Sequence, residues 1–228
     1  MFERNRWMDA KRIGAFFDFD ETLLDTESSR LGIRYLWKRR LVSRSFILSA
    51  FVTGILYRHH LISDEQTARI LMKLYRNRRL EEFNNGSQEF YNEILKPRLA
   101  PNILAQVERH KDLGHSLVLI SGSIRYMLES VAQDLGFEYL LCTDLEEGPN
   151  GLLTGRPKGP LCLDGTKRHL AIKLAQSSGI DLKQSFAYGN HQADLPLLEC
   201  VGYPHVVEPT RPLRKIAVAR NWPILAYQ

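Results

Sequence analysis

Short apolar runs alternate with helical patterns along most of this chain. The runs are typical of buried strands and lie at Ile13–Phe17, Leu117–Ile120, Tyr139–Cys142, Phe186–Tyr188 and His205–Val207. Between several of them, apolar residues recur at helical spacing, notably over Ile124–Leu135 and Lys167–Ala175. This alternation predicts an α/β fold with a Rossmann-like parallel sheet wrapped by helices.

Two interruptions of the alternation predict additional parts. After Asp144, the sequence Gly148-Pro149-Asn150-Gly151 predicts the turn of a short hairpin, with Leu152–Thr154 as its returning strand. Segment 25–97 carries only helical patterns, with Ser63 or Asp64 as an N-cap. These patterns cover Leu31–Trp37, Phe46–Tyr57, Asp64–Leu74 and Phe83–Leu95. We therefore expect a core domain of residues 1–24 and 98–228 and an inserted helical cap of residues 25–97.

One apolar stretch in this insertion has basic residues at both ends. Leu41–Tyr57 follows Lys38-Arg39-Arg40 and precedes Arg58-His59-His60. It is shorter than the roughly 20 apolar residues of a membrane span, and it contains Arg44. We expect a cap helix buried against its neighbours; a helix that lies at a membrane surface or admits a lipid chain is the alternative.

Two acids follow the first predicted strand directly. Asp18 and Asp20 are two residues apart, so an extended backbone places both side chains on one side, and Thr22 adds a hydroxyl. Paired carboxylates repel each other unless a cation joins them. This pattern is how a buried strand presents a nucleophile and a neighbouring acid.

Three later segments supply what phosphoryl transfer to a carboxylate would need. Ser121 and Gly122 close a second strand with a hydroxyl and exposed backbone amides. Lys167 stands at the start of a helical pattern, and Asn190 and Asp194 follow a further strand with oxygen ligands suited to a hard cation. Each lies where a strand ends or the next helix begins, which is where α/β proteins bind ligands.

These segments resemble the motifs of the haloacid dehalogenase superfamily, in particular its phosphoserine phosphatase-like branch. Its Asp-x-Asp-x-Thr motif is matched by Asp18, Asp20 and Thr22, its strand-closing Ser or Thr by Ser121, and its Lys by Lys167. The fourth motif, usually Gly-Asp-x-x-x-Asp, reads Gly189-Asn190-His191-Gln192-Ala193-Asp194. The resemblance extends over nearly the whole chain and implies a HAD-like core with a helical cap over the site.

The resemblance implies a Mg²⁺-dependent phosphatase of small phosphomonoesters. Asp18 would form an aspartyl-phosphate, and Asp20 would act first as general acid and then as general base. The phosphate would be bound by Thr22, Ser121, Gly122 and Lys167, and the metal by Asp18, the backbone carbonyl of Asp20, Asn190 and Asp194. Because Asn190 replaces an acid, metal affinity is expected to be weaker.

The sequence leaves the substrate open. Glu27 stands where phosphoserine phosphatases carry a glutamate that contacts the substrate amino group, which favours phosphoserine or histidinol phosphate; a first-turn helix glutamate is the alternative. Ser123 departs from the Ser-Gly-Gly common in phosphoserine phosphatases. A lipid phosphatase of lysophosphatidate type, a phosphotransferase and an inactive phosphate-binding module remain alternatives. The arginine that would bind a substrate carboxylate has five candidates, namely Arg34, Arg44, Arg58, Arg69 and Arg76.

Composition narrows the partners. The net charge of +5 agrees with anionic substrates, while dispersed basic residues favour no nucleic-acid contact. Cys142, Cys162 and Cys200 form no metal-ligand pattern and are expected to be reduced and mostly buried. The stretch Met1–Trp7 lacks the apolar region of a signal peptide, so we expect a cytoplasmic protein.

Overall fold

A six-stranded parallel sheet organises the molecule. The computed structural model describes residues 11–228, so the stretch Met1–Trp7 lies outside the described residues. The sheet has the order β3-β2-β1-β6-β7-β8, and every neighbouring pair is parallel. Its strands are β1 (Gly14–Phe17), β2 (Ser116–Ile124), β3 (Tyr139–Thr143), β6 (Phe186–Gly189), β7 (Tyr203–Val207) and β8 (Ile224–Leu225), while β4 (Leu145–Glu147) and β5 (Leu153–Pro157) form the predicted antiparallel hairpin. The predicted α/β fold is confirmed.

Strand β1 is central because both faces of the sheet are covered. Phe16 packs into the core on one face, with Val118 and Ile120, and Phe17 packs into the core on the other. The Phe17 ring stacks on the Tyr188 ring of β6, with centroids 4.4 Å apart. A strand buried on both sides must be apolar throughout, which explains the continuous run that ends at Asp18.

Ten α-helices occur in the described residues; the first six lie between β1 and β2, and five of these six lie within segment 25–97. These five are α1 (Ser28–Lys38), α2 (Arg44–Arg58), α3 (Asp64–Met72), α4 (Glu81–Asn84) and α5 (Ser87–Phe90). The others are α6 (Pro101–Asp112), α7 (Arg125–Leu135), α8 (Gly165–Ser178), α9 (Leu195–Leu198) and α10 (Arg211–Ala219). Ser63 caps α3 in a capping box with Gln66. Of the two predicted N-caps, Ser63 and Asp64, Ser63 is therefore the one observed.

The segments that lead into and out of the predicted cap run side by side. Leu24 forms an isolated antiparallel bridge with Leu99, and the Asp25 amide donates to the Arg98 carbonyl at 3.0 Å. The Ala100 amide donates to the Leu23 carbonyl at 2.9 Å. This pairing lies at the expected boundary between core and cap, and the division itself stays a prediction.

Two expectations for segment 25–97 were wrong. Phe83–Leu95 is not one helix but α4, α5 and a wide helical turn over Tyr91–Leu95, because the chain approaches α1 closely at Gly86. The Tyr35 hydroxyl of α1 donates to the Gly86 carbonyl at 3.0 Å, and a Cβ at Gly86 would collide with Arg39.

Helix α2 is also not buried against its neighbours. Thr53 is its one fully buried residue, while Leu48, Phe51, Val52 and Ile55 are exposed. No helix in the described residues is long and apolar enough to cross a membrane. The outer face of α2 is therefore an apolar surface that nothing in the described chain covers.

A buried histidine on α6 supports the strand that leads to the predicted metal ligands. His110 is 3% exposed, and its Nε2 lies 2.9 Å from the Tyr188 hydroxyl of β6. Its Nδ1 lies 2.8 Å from Nδ1 of His115. Burial, with smaller contributions from the nearby His115 and His205, lowers the pKa of His110 to about 4.

We predict that His110 makes stability depend on pH. In the unfolded chain its pKa is about 6.5, so unfolding takes up a proton between about pH 6.5 and pH 4, and stability is lost as the pH falls through this window. The free energy of unfolding attributable to His110 should fall by about 2 kcal/mol between pH 7.5 and pH 5.0. Urea unfolding at both pH values measures it.

The control variants isolate this histidine. His110→Gln should reduce the pH dependence by that amount, whereas His169→Gln, at an exposed position on α8, should not change it. An unchanged pH slope in His110→Gln would show that His110 is not the responsible group.

Candidate active site

The carboxyl ends of three adjacent strands bring the predicted catalytic residues together. β1 lies between β2 and β6, with Phe17 in register with Leu119 on one side and Tyr188 on the other. Asp18 follows β1, Ser121 lies within β2, and Asn190 follows β6. The three positions therefore meet at one edge of the sheet.

The centre of the site is a buried ion triad. The Lys167 Nζ donates to Asp18 Oδ1 and to Asp194 Oδ1, each at 2.6 Å. All three side chains are nearly inaccessible to solvent. Lys167 stands in the first turn of α8 and reaches across the sheet edge, so one ammonium links the first and fourth sequence motifs.

The charges of the triad perturb one another. Burial raises the pKa of Asp18, Asp194 raises it further, and Lys167 opposes both, with the result that the pKa lies at about 7. Burial alone would lower the pKa of Lys167, but Asp18 and Asp194 raise it above its usual value. The ammonium therefore stays charged, and any additional positive charge near Asp18 favours its ionised form.

Thr22 has a different place from the one expected. Its hydroxyl donates to Asp18 Oδ2 at 3.2 Å, and the residue is fully buried and does not line the cavity beside the site. Its assignment to phosphate binding is thus corrected: Thr22 fixes the Asp18 carboxylate, because its one hydroxyl hydrogen is used there.

Asp20 is held by two groups that the sequence did not single out for this role. Its carboxylate accepts from the Ser28 backbone amide, in the first turn of α1, and from the Ser123 hydroxyl at 2.7 Å. The Ser28 and Ser123 hydroxyls lie 2.8 Å apart. The amino end of α1 also favours a negative charge. Asp20 is therefore oriented jointly by the first helix after β1 and by the loop after Ser121.

Ser121 and Gly122 line the cavity next to the triad. The Ser121 hydroxyl accepts from the Ser123 amide at 3.1 Å, so its own hydrogen remains available to an acceptor in the cavity. A Cβ at Gly122 would lie 2.6 Å from Leu163 Cδ2, which explains the glycine. A hydroxyl and nearby backbone amides are suited to phosphate oxygens.

Asp194 also shapes the loop after β6. Its Oδ2 accepts from the Asn190 amide at 3.1 Å and from the His191 amide at 3.0 Å, while its Oδ1 binds Lys167. Glycine at 189 allows this close approach, since a Cβ there would lie 2.7 Å from Asp194 Cβ. Asn190 is thereby held at the wall of the cavity that Asp18 also lines.

The Asn190 amide is oriented by Glu21. Its Nδ2 donates to Glu21 Oε2 at 3.3 Å, and because a carboxylate only accepts, the amide oxygen must point the other way. Within residues 11–228, no three His, Cys, Asp or Glu side chains form a metal-binding group. The oxygen set here has two carboxylates, from Asp18 and Asp194, with one amide. Hard oxygen donors of this kind fit Mg²⁺.

A cavity of about 550 Å³ extends from the triad into segment 25–97. Its outer walls come from α1, α2 and α3 and are largely apolar, including Ile33, Leu36, Ala50, Leu71 and Met72. Of the five arginines considered from the sequence, Arg58 is the one found among the lining residues. The other four are not placed to meet a ligand in it.

Glu27 lines the same cavity but is already paired. Its Oε2 lies 2.9 Å from Arg30 Nε, one turn along α1, and burial raises the pKa of Glu27 despite this arginine. Arg30 also lines the cavity and was missed, because an arginine three residues after a glutamate is indistinguishable from an ordinary helix pair. Together the two form a zwitterionic patch at the cavity wall.

Residues 15–199 match the family model described as haloacid dehalogenase-like hydrolase. This chain belongs to that family. The resemblance drawn from the motifs is thus confirmed, and the four motif segments of a haloacid dehalogenase-like hydrolase converge here as expected.

Several curated proteins are similar along most of the chain. The Inhibition of morphological differentiation protein of Streptomyces azureus is 29% identical, covering 95% of this chain and 79% of its own length. Phosphoserine phosphatase SerB1 of Mycobacterium tuberculosis is 28% identical, covering 92% of this chain and 69% of its own. Histidinol-phosphatase of Neisseria meningitidis is 27% identical, and the match covers 94% of this chain and 98% of that protein.

Solved structures share the fold. A protein of unknown function from Bordetella pertussis Tohama I superposes with a TM-score of 0.86 at 24% identity, covering 96% of this chain and all of the other. A phospho-aspartyl intermediate analogue of phosphoserine phosphatase superposes with a TM-score of 0.69 at 18% identity. The match covers 96% of this chain and 94% of the other. The likeness to the phosphoserine phosphatase structure confirms the predicted haloacid dehalogenase-like fold.

We predict that Lys167 holds the site together when no metal is bound. Lys167→Met would leave Asp18 and Asp194 buried without their shared cation, which should lower the free energy of unfolding by about 3 kcal/mol or more in EDTA. Lys173→Met, at an exposed position on the same helix, is the matched control. Urea unfolding of both variants measures the effect, and equal losses would contradict the prediction.

Proposed function

We propose that this chain is a Mg²⁺-dependent phosphatase that hydrolyses phosphomonoesters through an aspartyl-phosphate on Asp18. The observation that carries the proposal is the Asp18–Lys167–Asp194 triad at the floor of a cavity also lined by Asp20 and Ser121. Phosphatase names among the relatives give additional support.

Asp18 is the proposed nucleophile. A carboxylate oxygen of Asp18 attacks phosphorus in line as the bond to the ester oxygen breaks, which leaves the phosphoryl group on Asp18. Thr22 and Lys167 hold the two carboxylate oxygens, so the side chain is fixed before the substrate arrives. Bound Mg²⁺ would offset the repulsion between the carboxylate and the phosphate oxygens.

Asp20 is the proposed acid and base. It gives a proton to the departing alkoxide and then takes one from the water that attacks the phosphorus of the aspartyl-phosphate. Cleavage of the bond between phosphorus and Asp18 then releases phosphate and restores the nucleophile. The hydrogen bonds from Ser28 and Ser123 set the direction of the Asp20 carboxylate for both transfers.

Charge on the transferred group is stabilised by three neighbours. The Ser121 hydroxyl and the Gly122 amide are proposed to donate to phosphate oxygens, and Lys167 supplies a positive charge. Mg²⁺ would be held by Asp18, the backbone carbonyl of Asp20, Asn190 and Asp194. Asn190 suits this role because its amide oxygen faces away from Glu21.

The proposed substrate is a small amino-bearing phosphomonoester such as phosphoserine or histidinol phosphate. Glu27 lines the cavity and its paired Arg30 adds a cation, so the two together match an ammonium and a carboxylate or another polar group. The two relatives named for phosphoserine and histidinol phosphate support this class.

A lipid phosphate is the second candidate substrate. The cavity walls contributed by α1, α2 and α3 are largely apolar, and apolar walls suit an acyl chain better than the polar groups of an amino acid substrate.

Phosphate release from a substrate panel tests the proposal. The panel contains phosphoserine, histidinol phosphate, glycerol phosphate and lysophosphatidate, with and without Mg²⁺. We expect release that requires Mg²⁺ and is abolished in Asp18→Asn, since this change removes the nucleophilic oxygen while keeping the shape. Glu27→Gln should raise KM about tenfold for amino-bearing members only, a loss equivalent to one charged hydrogen bond.

The pattern of results separates the candidates. Full activity in Asp18→Asn would refute the mechanism. Preference for lysophosphatidate, with no effect of Glu27→Gln, would move the substrate to the lipid class.

We also predict that Glu21 compensates for the amide at Asn190. Glu21→Gln removes a negative charge next to the metal ligands and replaces a partner that only accepts by an amide that can also donate, so the orientation of Asn190 is no longer enforced. The Mg²⁺ concentration for half-maximal activity should therefore rise about tenfold. Calorimetric titration with Mg²⁺ should show the same loss of affinity. The matched control is Glu208→Gln, at an exposed position away from the cavity.

The opposite result has a clear meaning. An unchanged affinity in Glu21→Gln would show that Glu21 neither orients Asn190 nor adds to the field at the metal.

A further inference from the structure

The outer face of α2 is an exposed apolar stripe. The stripe consists of Leu48, Phe51, Val52 and Ile55. The last three lie three, four and seven residues after Leu48, so all four share one side of the helix. Leu48 and Phe51 are 65% and 66% exposed. The opposite side of α2 lines the cavity through Ala50, Thr53 and Tyr57, so the helix has two distinct faces.

The same region holds the positive excess of the whole protein. Residues 28–63 contain seven of the 31 Lys and Arg residues and none of the 26 Asp and Glu residues. The remainder of the chain has 24 basic and 26 acidic residues and is slightly negative. The basic residues are therefore not evenly dispersed, because this segment holds seven of them without an acid.

Several of these cations lie at the ends of the stripe. Arg44 stands one turn before Leu48, and Arg58 stands one turn after Ile55. Within residues 11–228, Arg34, Lys38, Arg40, Arg44 and Arg58 form no ion pair with an acid. Trp37 and Leu61, beyond the two ends, are 42% and 69% exposed. An apolar stripe between basic ends is complementary to an anionic lipid surface.

A second copy of the chain suits this face less well. Antiparallel packing of two stripes would bring Arg44 of one copy against Arg58 of the other, and parallel packing would bring like residues together. Segment 28–63 has no acid to neutralise either arrangement. Electrostatic repulsion thus opposes self-association through α2.

We propose that the exposed face of α2 docks this protein on an anionic lipid surface, with Leu48, Phe51, Val52 and Ile55 inserted among the lipids. The surrounding arginines and lysine contact the head groups. The helix lies along the surface and does not cross it. This docking is independent of the proposed phosphatase reaction, since it requires neither the triad nor a phosphomonoester.

Co-sedimentation with vesicles tests the proposal on the full chain. We expect binding to phosphatidylglycerol–phosphatidylcholine vesicles that weakens as salt is raised, with little binding to pure phosphatidylcholine. Leu48→Ser/Phe51→Ser should reduce partitioning at least about tenfold, because two large apolar side chains are lost. Leu113→Ser/Val218→Ser, which changes similarly exposed residues on the core, should leave it unchanged.

A second pair of variants separates charge from apolar insertion. Arg40→Gln/Arg44→Gln should weaken binding to anionic vesicles and flatten its salt dependence, whereas Arg211→Gln/Arg214→Gln, exposed on α10, should have little effect. Circular dichroism and thermal unfolding verify that each variant is folded.

Three results would overturn the proposal. The first is absence of binding by the unmodified protein at low salt. The second is equal binding by the Leu48→Ser/Phe51→Ser variant and its core control. The third is a dimer in sedimentation velocity that Leu48→Ser/Phe51→Ser dissociates, without vesicle binding, which would assign the face to a second copy.

Discussion

The ion triad of Asp18, Lys167 and Asp194 is the interaction on which the rest of the site depends. Two carboxylates within reach of each other in a water-poor position would repel each other. The Lys167 ammonium lies 2.6 Å from each carboxylate, and its positive charge offsets their repulsion. The same Asp194 also accepts two backbone amides, so the loop that carries Asn190 is tied to the ammonium as well. Electrostatics here determines backbone geometry, and the sheet brings the partners into range.

Most of the fold and the main site residues could be predicted from local signals. Strand β1 is apolar on both faces and ends at an acid, so its burial and the position of Asp18 at its end were evident from Ile13–Phe17 and Asp18. The start of α3 after Ser63 likewise follows from its capping residue, and the helix that carries Lys167 follows from periodicity, although it begins at Gly165. These features depend on neighbours in sequence, which a single chain displays directly.

The parts that failed depend on contacts between distant residues. Gly86 breaks a predicted helix because α1 packs against it, and nothing near Gly86 in the sequence reveals α1. Thr22 was predicted as a phosphate ligand from its motif, but its hydroxyl donates to Asp18. The pairing of Asn190 with Glu21 spans 169 positions. The exposure of α2 could not be predicted either, because periodicity identifies an apolar face without stating whether anything covers it.

The hydrogen bond from the Ser28 amide to Asp20 has a consequence for the order of events in a catalytic cycle. The donor belongs to the first helix of segment 25–97, whereas the acceptor belongs to the loop that carries the nucleophile. Any movement that lifts α1 to admit a large leaving group would also remove one of the two bonds that aim Asp20. If Asp20 is the proposed acid, proton delivery would then be deferred until the helix returned. Opening of the site and correct orientation of Asp20 would therefore occur at different times. The Ser28 amide would thus prevent protonation of a substrate that is only partly bound.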